Sequence, residues 1–194
     1  MNPVKILVEG KLDKKKGIAH SSDSRFLRDC VQHWFNIDLD LVNNFEYIGG
    51  ASELREMAIP IRRLQEEDLI HEVLVIVDAN GDVAKRKAEV ERFQQESGLS
   101  FRFFLFPDNS TNGEVETLIE AVATQRKFID CFNDYERCIG KPLDLKDKVF
   151  AYIAAASKNH DDAKDINRKF SADLFNLDHA ALNPLKEFLS PFFQ

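Results

Sequence analysis

Short apolar runs alternate with helical periodicities along the first two thirds of the chain. Val4 to Val8 (VKILV) is rich in β-branched residues and closes on Glu9-Gly10, the pattern of a buried strand that ends in a turn. A polar segment from Lys11 to Ser22 follows. Phe26, Leu27, Cys30, Val31, Trp34 and Phe35 then recur at helical spacing, with Ser21 or Ser22 placed to cap the helix. Phe45, Tyr47 and Ile48 read as a second strand, broken by Gly49-Gly50. Ser52 is a candidate cap for the helical segment SELREMAIPIRRLQEEDLI, which Pro60 should kink or split.

Val73 to Val77 (VLVIV) is apolar at every position, as a central parallel strand covered on both faces must be. It ends in Asp78-Ala79-Asn80-Gly81-Asp82. A charged helix is expected over Val83 to Ser97, and a further strand through Phe101, Phe103 and either Leu105 or Phe106, stopped by Pro107. Asn112 precedes a helix that carries Val115, Leu118, Ile119 and Val122 on one face.

Parallel strands need crossover connections, so this alternation predicts an α/β fold: a Rossmann-like, mostly parallel sheet of about four strands flanked by helices. Beyond Arg126 only helical patterns remain, near Phe128 to Ile139, Val149 to Ala156 and Leu182 to Phe188. The expected organisation is an α/β domain over residues 1–125 and a helical extension over 126–194. No linker-like stretch separates them, so they should pack together.

With 194 residues, 44% of them hydrophobic, the chain can bury one sizeable core. No apolar span reaches membrane length, and the N-terminus MNPVKILVEGK lacks the build of an export signal. Three cysteines without a CxxC pair argue against a disulfide framework and fit a reducing cytoplasm. The net charge of −7 sits awkwardly with nucleic-acid binding, because phosphate contacts come mainly from Lys and Arg. Any such binding has to be local, metal-bridged or helped by a partner.

In open parallel sheets functional groups collect beyond the carboxyl ends of the strands, and Glu9 and Asp78 both occupy such ends. If their strands are neighbours, the two carboxylates reach one divalent cation, and Asn80 adds an amide oxygen. Hard oxygen ligands of this kind suit Mg²⁺ or Mn²⁺. A competing reading makes Asp78, Asn80 and Asp82 turn formers, with Asp82 capping the next helix. A calcium loop fails, because Val83 stands where its required glycine belongs.

Lys11, Lys14, Lys15 and Lys16 follow the first strand, and Lys85, Arg86 and Lys87 follow the third. They are candidates to hold a phosphate backbone, although such runs are commonly solvated faces. Glu116 lies in the first turn of its helix, where the macrodipole alone favours a carboxylate, yet it also borders the expected crevice. The five histidines show no ligand spacing.

The pieces ILVEGKLD, IGGASEL, VLVIVDANGD and FLFPDNSTNGEVETL stand in the order of a TOPRIM domain, which this chain resembles. That resemblance implies a general acid or base at Glu9 and a Mg²⁺ site at Asp78 and Asn80. Asn80 departs from the family pattern, which carries a second aspartate there. The chain is also similar to the overcoming-lysogenization-defect nucleases, which have an aspartate four residues after the first glutamate and an acidic residue on a later helix. Asp13 and Glu116 match those places; Asp23 is a rival to Asp13, whose spacing from Glu9 is favoured. LFNLDHAALNPLKEFL resembles the C-terminal pattern of small stand-alone bacterial TOPRIM-related proteins of unknown function.

The implied activity is divalent-metal-dependent hydrolysis of DNA or RNA, since a topoisomerase or primase needs further domains that 194 residues do not hold. Nucleases of this type imply an ABC-type or AAA-type ATPase partner in phage defence or DNA repair. A different class is a catalytically weak interaction module, for which the Asn80 departure and the acidic surface argue. A receiver-like phosphoacceptor is less well matched, because Glu9-Gly10 supplies only one member of the required acidic pair.

Overall fold

The computed structural model describes residues 4–13, 18–49, 51–67, 72–157 and 169–194. Four strands form one parallel sheet: β1 (Val4–Glu9), β4 (Phe45–Ile48), β5 (Glu72–Asp78) and β6 (Arg102–Phe106), in the order β4-β1-β5-β6. The chain leaves β1 towards β4 on one side and returns to β5 on the other. The direction of winding therefore reverses between β1 and β5, where open α/β sheets leave a crevice.

The apolar run in β5 splits by the two-residue pleat. Leu74 and Ile76 join Ile6, Val8 and Phe104 on one face, while Val73, Val75 and Val77 join Leu7 and Leu105 on the other. Helix α1 (Ser22–Phe35) covers the first face through Phe26, Leu27, Cys30 and Val31, together with α4 (Val115–Ala121). The second face is covered by a 3₁₀ turn (Ala51–Met57), α2 (Ala58–Glu66) and α3 (Val83–Ser97), which supply Leu54, Ile61, Val90 and Phe93. The result is a helix/sheet/helix sandwich with a separate apolar core on each side of the sheet.

The last third is helical: α5 (Arg126–Ile139), α6 (Leu145–Ala156) and α7 (Asn183–Phe193). These helices belong to the first core, since Ile129, Val149, Tyr152, Ile153, Leu185, Leu189 and Phe193 share one cluster with the strand residues. Backbone hydrogen bonds stitch the two parts together, from Thr124 N–H to Leu174 O at 2.9 Å and from Asn176 N–H to Val122 O at 2.8 Å. Residues on either side of position 125 thus share a core.

Several expected boundaries recur in the fold. Ser21 caps α1, its hydroxyl accepting from Ser24 N–H, and Asp82 caps α3, accepting from Lys85 N–H at 2.9 Å. Pro60 falls in the first turn of α2, after the 3₁₀ turn, so the segment splits there. The polar stretch after Glu9 differs from its reading: β2 (Lys11–Asp13) and β3 (Ile18–His20) form a small antiparallel pair. Three-residue strands are too short to carry a readable period. No helix of the described residues is long and apolar enough to cross a membrane.

Candidate functional site

β1 and β5 are adjacent, with Val8 paired to Ile76, so Glu9 sits one residue short of level with Asp78 at the carboxyl edge of the sheet. Two helices begin at this edge. Asp23 lies in the first turn of α1 and Glu116 in the first turn of α4, and both are buried, Asp23 at 7% and Glu116 at 1% exposure. The fold therefore collects four carboxylates, from Glu9, Asp23, Asp78 and Glu116, at the point where the winding reverses.

All four carboxyls are held above their ordinary range, chiefly by burial, and at Asp23 and Asp78 neighbouring carboxylates add to it. Burial pushes Asp23 far above the usual carboxylate range, and the charges of Asp78, Glu116 and Glu9 push it further. Asp78 is pushed up to about 7 by burial and by Glu9, against the N–H of Val115, which donates to Asp78 Oδ1 at 2.9 Å. Glu116 is raised by burial, opposed by Lys146. Glu9 is raised by burial, opposed by Arg86 and Lys146.

Two oxygens in this cluster, Asp23 Oδ2 and Glu116 Oε2, are buried with no hydrogen-bond partner among the described residues. An orphaned buried carboxylate oxygen costs several kcal/mol unless a proton or a cation satisfies it. The donor set is all oxygen and strongly acidic, which fits a hard divalent ion. Among the described residues, no three histidine, cysteine or acidic side chains are grouped closely enough to hold one ion.

Glu9 already has a cationic partner. Arg86, on α3, donates from Nη2 to Glu9 Oε1 at 2.6 Å and from Nε to the Asp78 carbonyl at 2.9 Å. Arg86 is thus turned inward, whereas Lys85 is exposed. Lys11 contributes backbone to β2, and its side chain, like that of Asp13 and like all of Lys14, Lys15 and Lys16, lies outside the described residues.

Asn80 is exposed, in the turn that follows Asp78. Its backbone is left-handed, with φ of 54°, and it exchanges two hydrogen bonds with Gly113, of 2.7 and 2.8 Å. Asparagine tolerates that conformation better than most residues, which gives position 80 a structural reason for its identity. Gly113 has φ of +152°, and a Cβ there would meet Thr117 Oγ1 at 2.9 Å and Pro107 Cδ at 3.1 Å. Gly113→Ala is expected to cost about 1–3 kcal/mol, lowering the melting temperature by roughly 3–10 °C in a thermal scan.

Lys146, in the first turn of α6, is a participant that sequence reasoning missed. Burial depresses its amine, but the charges of Glu116, Glu114, Asp78 and Asp23 outweigh that and leave its pKa raised. Nothing in the pattern of α6 marks this residue, because it reaches the edge only through the packing of the C-terminal helices. Asp82 serves α3 as its cap, which accounts for it without a ligand role.

The fold and its edge define an α/β protein with an acidic centre at the switch point of a parallel sheet. The chain matches, over residues 3–194, the family described as Protein of unknown function (DUF3226), and it belongs to that family. Comparison with curated proteins and with solved structures gave no match.

Proposed function

We propose that this chain is a divalent-metal-dependent nuclease of the TOPRIM type, hydrolysing phosphodiester bonds in DNA or RNA. The observation that carries the reading is the convergence of four carboxylates with two orphaned buried oxygens, Asp23 Oδ2 and Glu116 Oε2. Glu9, Asp23, Asp78 and Glu116 would hold Mg²⁺ or Mn²⁺, with Asn80 in the turn that follows Asp78. Asp23 takes here the place that spacing from Glu9 gives to Asp13. Bound there, the cation would polarise the phosphate and lower the pKa of a water molecule.

The chain's own groups supply the rest. Glu9 is half-buried with a raised pKa, so it can take a proton from the attacking water and return one to the leaving oxygen. Lys146 faces the carboxylates from α6 and can balance the added charge of a phosphate. Lys85 is exposed beside the edge and available to the nucleic-acid backbone.

A cleavage screen over single- and double-stranded DNA and RNA, with Mn²⁺ and with EDTA, tests the reading. Mn²⁺-dependent cleavage that disappears in Asp78→Ala is expected. Activity in EDTA, or activity that survives Asp78→Ala, counts against it.

One observation favours a second reading, a catalytically weak module that binds nucleic acid or a protein: Arg86 already neutralises Glu9. Absence of Mn²⁺ binding by calorimetry would support that reading. An ABC-type or AAA-type ATPase partner rests on the resemblance alone, and co-purification with such an ATPase tests it.

A further inference from the structure

We propose that Arg86 is the resident counter-ion of the acidic edge, holding Glu9 in place of a divalent cation and yielding Glu9 when a cation binds. The inference rests on the metal reading above and goes beyond it by naming what competes for the site.

The geometry is specific to this arginine. Its guanidinium spans two strand ends at once, with Nη2 on Glu9 Oε1 at 2.6 Å and Nε on the Asp78 carbonyl at 2.9 Å. The pair is largely withdrawn from solvent, with side-chain exposures of 14% and 24%. Glu9 and Asp78 are the two residues that adjacent strands deliver to the switch point, so the guanidinium sits across the place where a cation would join them. A fixed positive charge there repels a divalent ion, and its hydrogen bond occupies a Glu9 oxygen.

Arg86 also has somewhere to go. Nη1 lies 3.6 Å from Glu89 Oε2, one turn along the same helix. A small rotation away from Glu9 therefore keeps the guanidinium paired. It remains at the wall of an open cavity of about 300 Å³ lined by Ala79 to Asp82, Lys85, Arg86 and Glu89. Lys85 and the released Arg86 then face that cavity together with the carboxylates of Asp82 and Glu89. The deeper oxygens, Asp23 Oδ2 and Glu116 Oε2, have no hydrogen-bond partner among the described residues. Exchange at Glu9 is thus the step that opens the cluster to an external ion.

The test is a Mn²⁺ titration followed by electron paramagnetic resonance of the free ion, at low ionic strength, on the full chain. Wild type, Arg86→Gln, Arg86→Lys and Asp78→Asn are compared, each checked for folding by circular dichroism. Arg86→Gln is expected to bind Mn²⁺ roughly tenfold tighter than wild type, Arg86→Lys to fall between them, and Asp78→Asn to lose binding. Should Arg86→Gln not fold, Arg86→Lys decides, since lysine keeps the charge but cannot bridge Glu9 and the Asp78 carbonyl together. Unchanged or weaker binding in the folded Arg86 variants, with binding lost in Asp78→Asn, overturns the role of Arg86 and leaves the metal reading standing. No Mn²⁺ binding by wild type or either Arg86 variant overturns both.

Discussion

Asp23→Asn is expected to raise the melting temperature of the metal-free protein at pH 8 by roughly 5 °C and, on the proposed metal reading, to abolish stabilisation by Mn²⁺. Asp23 is buried among three other carboxylates, so its charge is opposed by desolvation first and then by Asp78, Glu116 and Glu9. An amide of the same shape carries no charge and removes one source of that repulsion. The sign follows from linkage. A carboxyl whose folded pKa lies above its unfolded value stabilises fully below the unfolded pKa and loses that contribution as pH rises through the folded pKa.

For Asp78 the window runs from 3.8 to about 7, worth on the order of a few kcal/mol, and Asp23 acts in the same direction. The metal-free wild type should therefore lose stability from about pH 4 towards pH 8, while the Asn variant shows a shallower slope. Asp40 works in the opposite direction in a separate acidic window, because backbone N–H groups of Asn43 and Val42 hold its carboxyl low. A divalent ion that satisfies the cluster adds RT ln(1 + [L]/Kd), about 2.7 kcal/mol at a hundredfold excess over Kd. Thermal scans across this pH range, with EDTA and with Mn²⁺, check all of this. Asp13→Asn serves as the comparison and is expected to change neither quantity; a loss of the Mn²⁺ effect in Asp13→Asn and not in Asp23→Asn would reverse the assignment.

The strands of the sheet were legible because each is a short apolar run ended by a turn, and burial on both faces leaves VLVIV no polar position. Glu9 and Asp78 were legible for the same reason: a carboxylate directly after such a run must stand at the sheet edge. For the third acidic place the sequence offers two residues, Asp13 and Asp23, because two criteria compete for one role. Spacing along the chain favours Asp13, whereas the helix start after the Ser21 cap carries Asp23 into the first turn of α1, over the edge. Asp13 closes β2 and β3 lies between it and Asp23, so spacing along the chain does not fix distance in space.

Arg86 and Lys146 show two further limits of the sequence. Arg86 reads as one cation in a basic run, and only the position of α3 against β1 and β5 turns it inward while Lys85 stays exposed. Lys146 is more than a hundred residues from Glu9 in sequence, and no local pattern links them. Asn80 was read as a weakened ligand, and its left-handed backbone supplies an independent reason for asparagine.

Tyr152→Ala is expected to destabilise the whole fold by about 3–5 kcal/mol, a large share of the 5–15 kcal/mol typical of a domain. The Tyr152 ring is 1% exposed and meets Phe128 at 6.5 Å and Phe175 at 5.6 Å between centroids. Its hydroxyl donates to Leu174 O at 2.7 Å and accepts from Gln125 N–H at 3.3 Å, joining α6 to the start of α5 and to the segment before α7. Tyr152→Phe keeps the ring and is expected to cost about 1–3 kcal/mol, through the loss of the hydroxyl's hydrogen bonds to Leu174 O and from Gln125 N–H. Because Phe175 and Tyr152 share their cluster with Ile6, Leu74 and Phe104, the loss should spread to the sheet. Urea melts followed by far-ultraviolet circular dichroism and by Trp34 fluorescence report on this directly, since Trp34 Nε1 donates to Leu177 O at 2.8 Å. One coincident transition, shifted in both variants, is the expected result. Two separated transitions in Tyr152→Ala, with the sheet unaffected, would mean that the C-terminal helices fold independently of the α/β layer that carries the carboxylates.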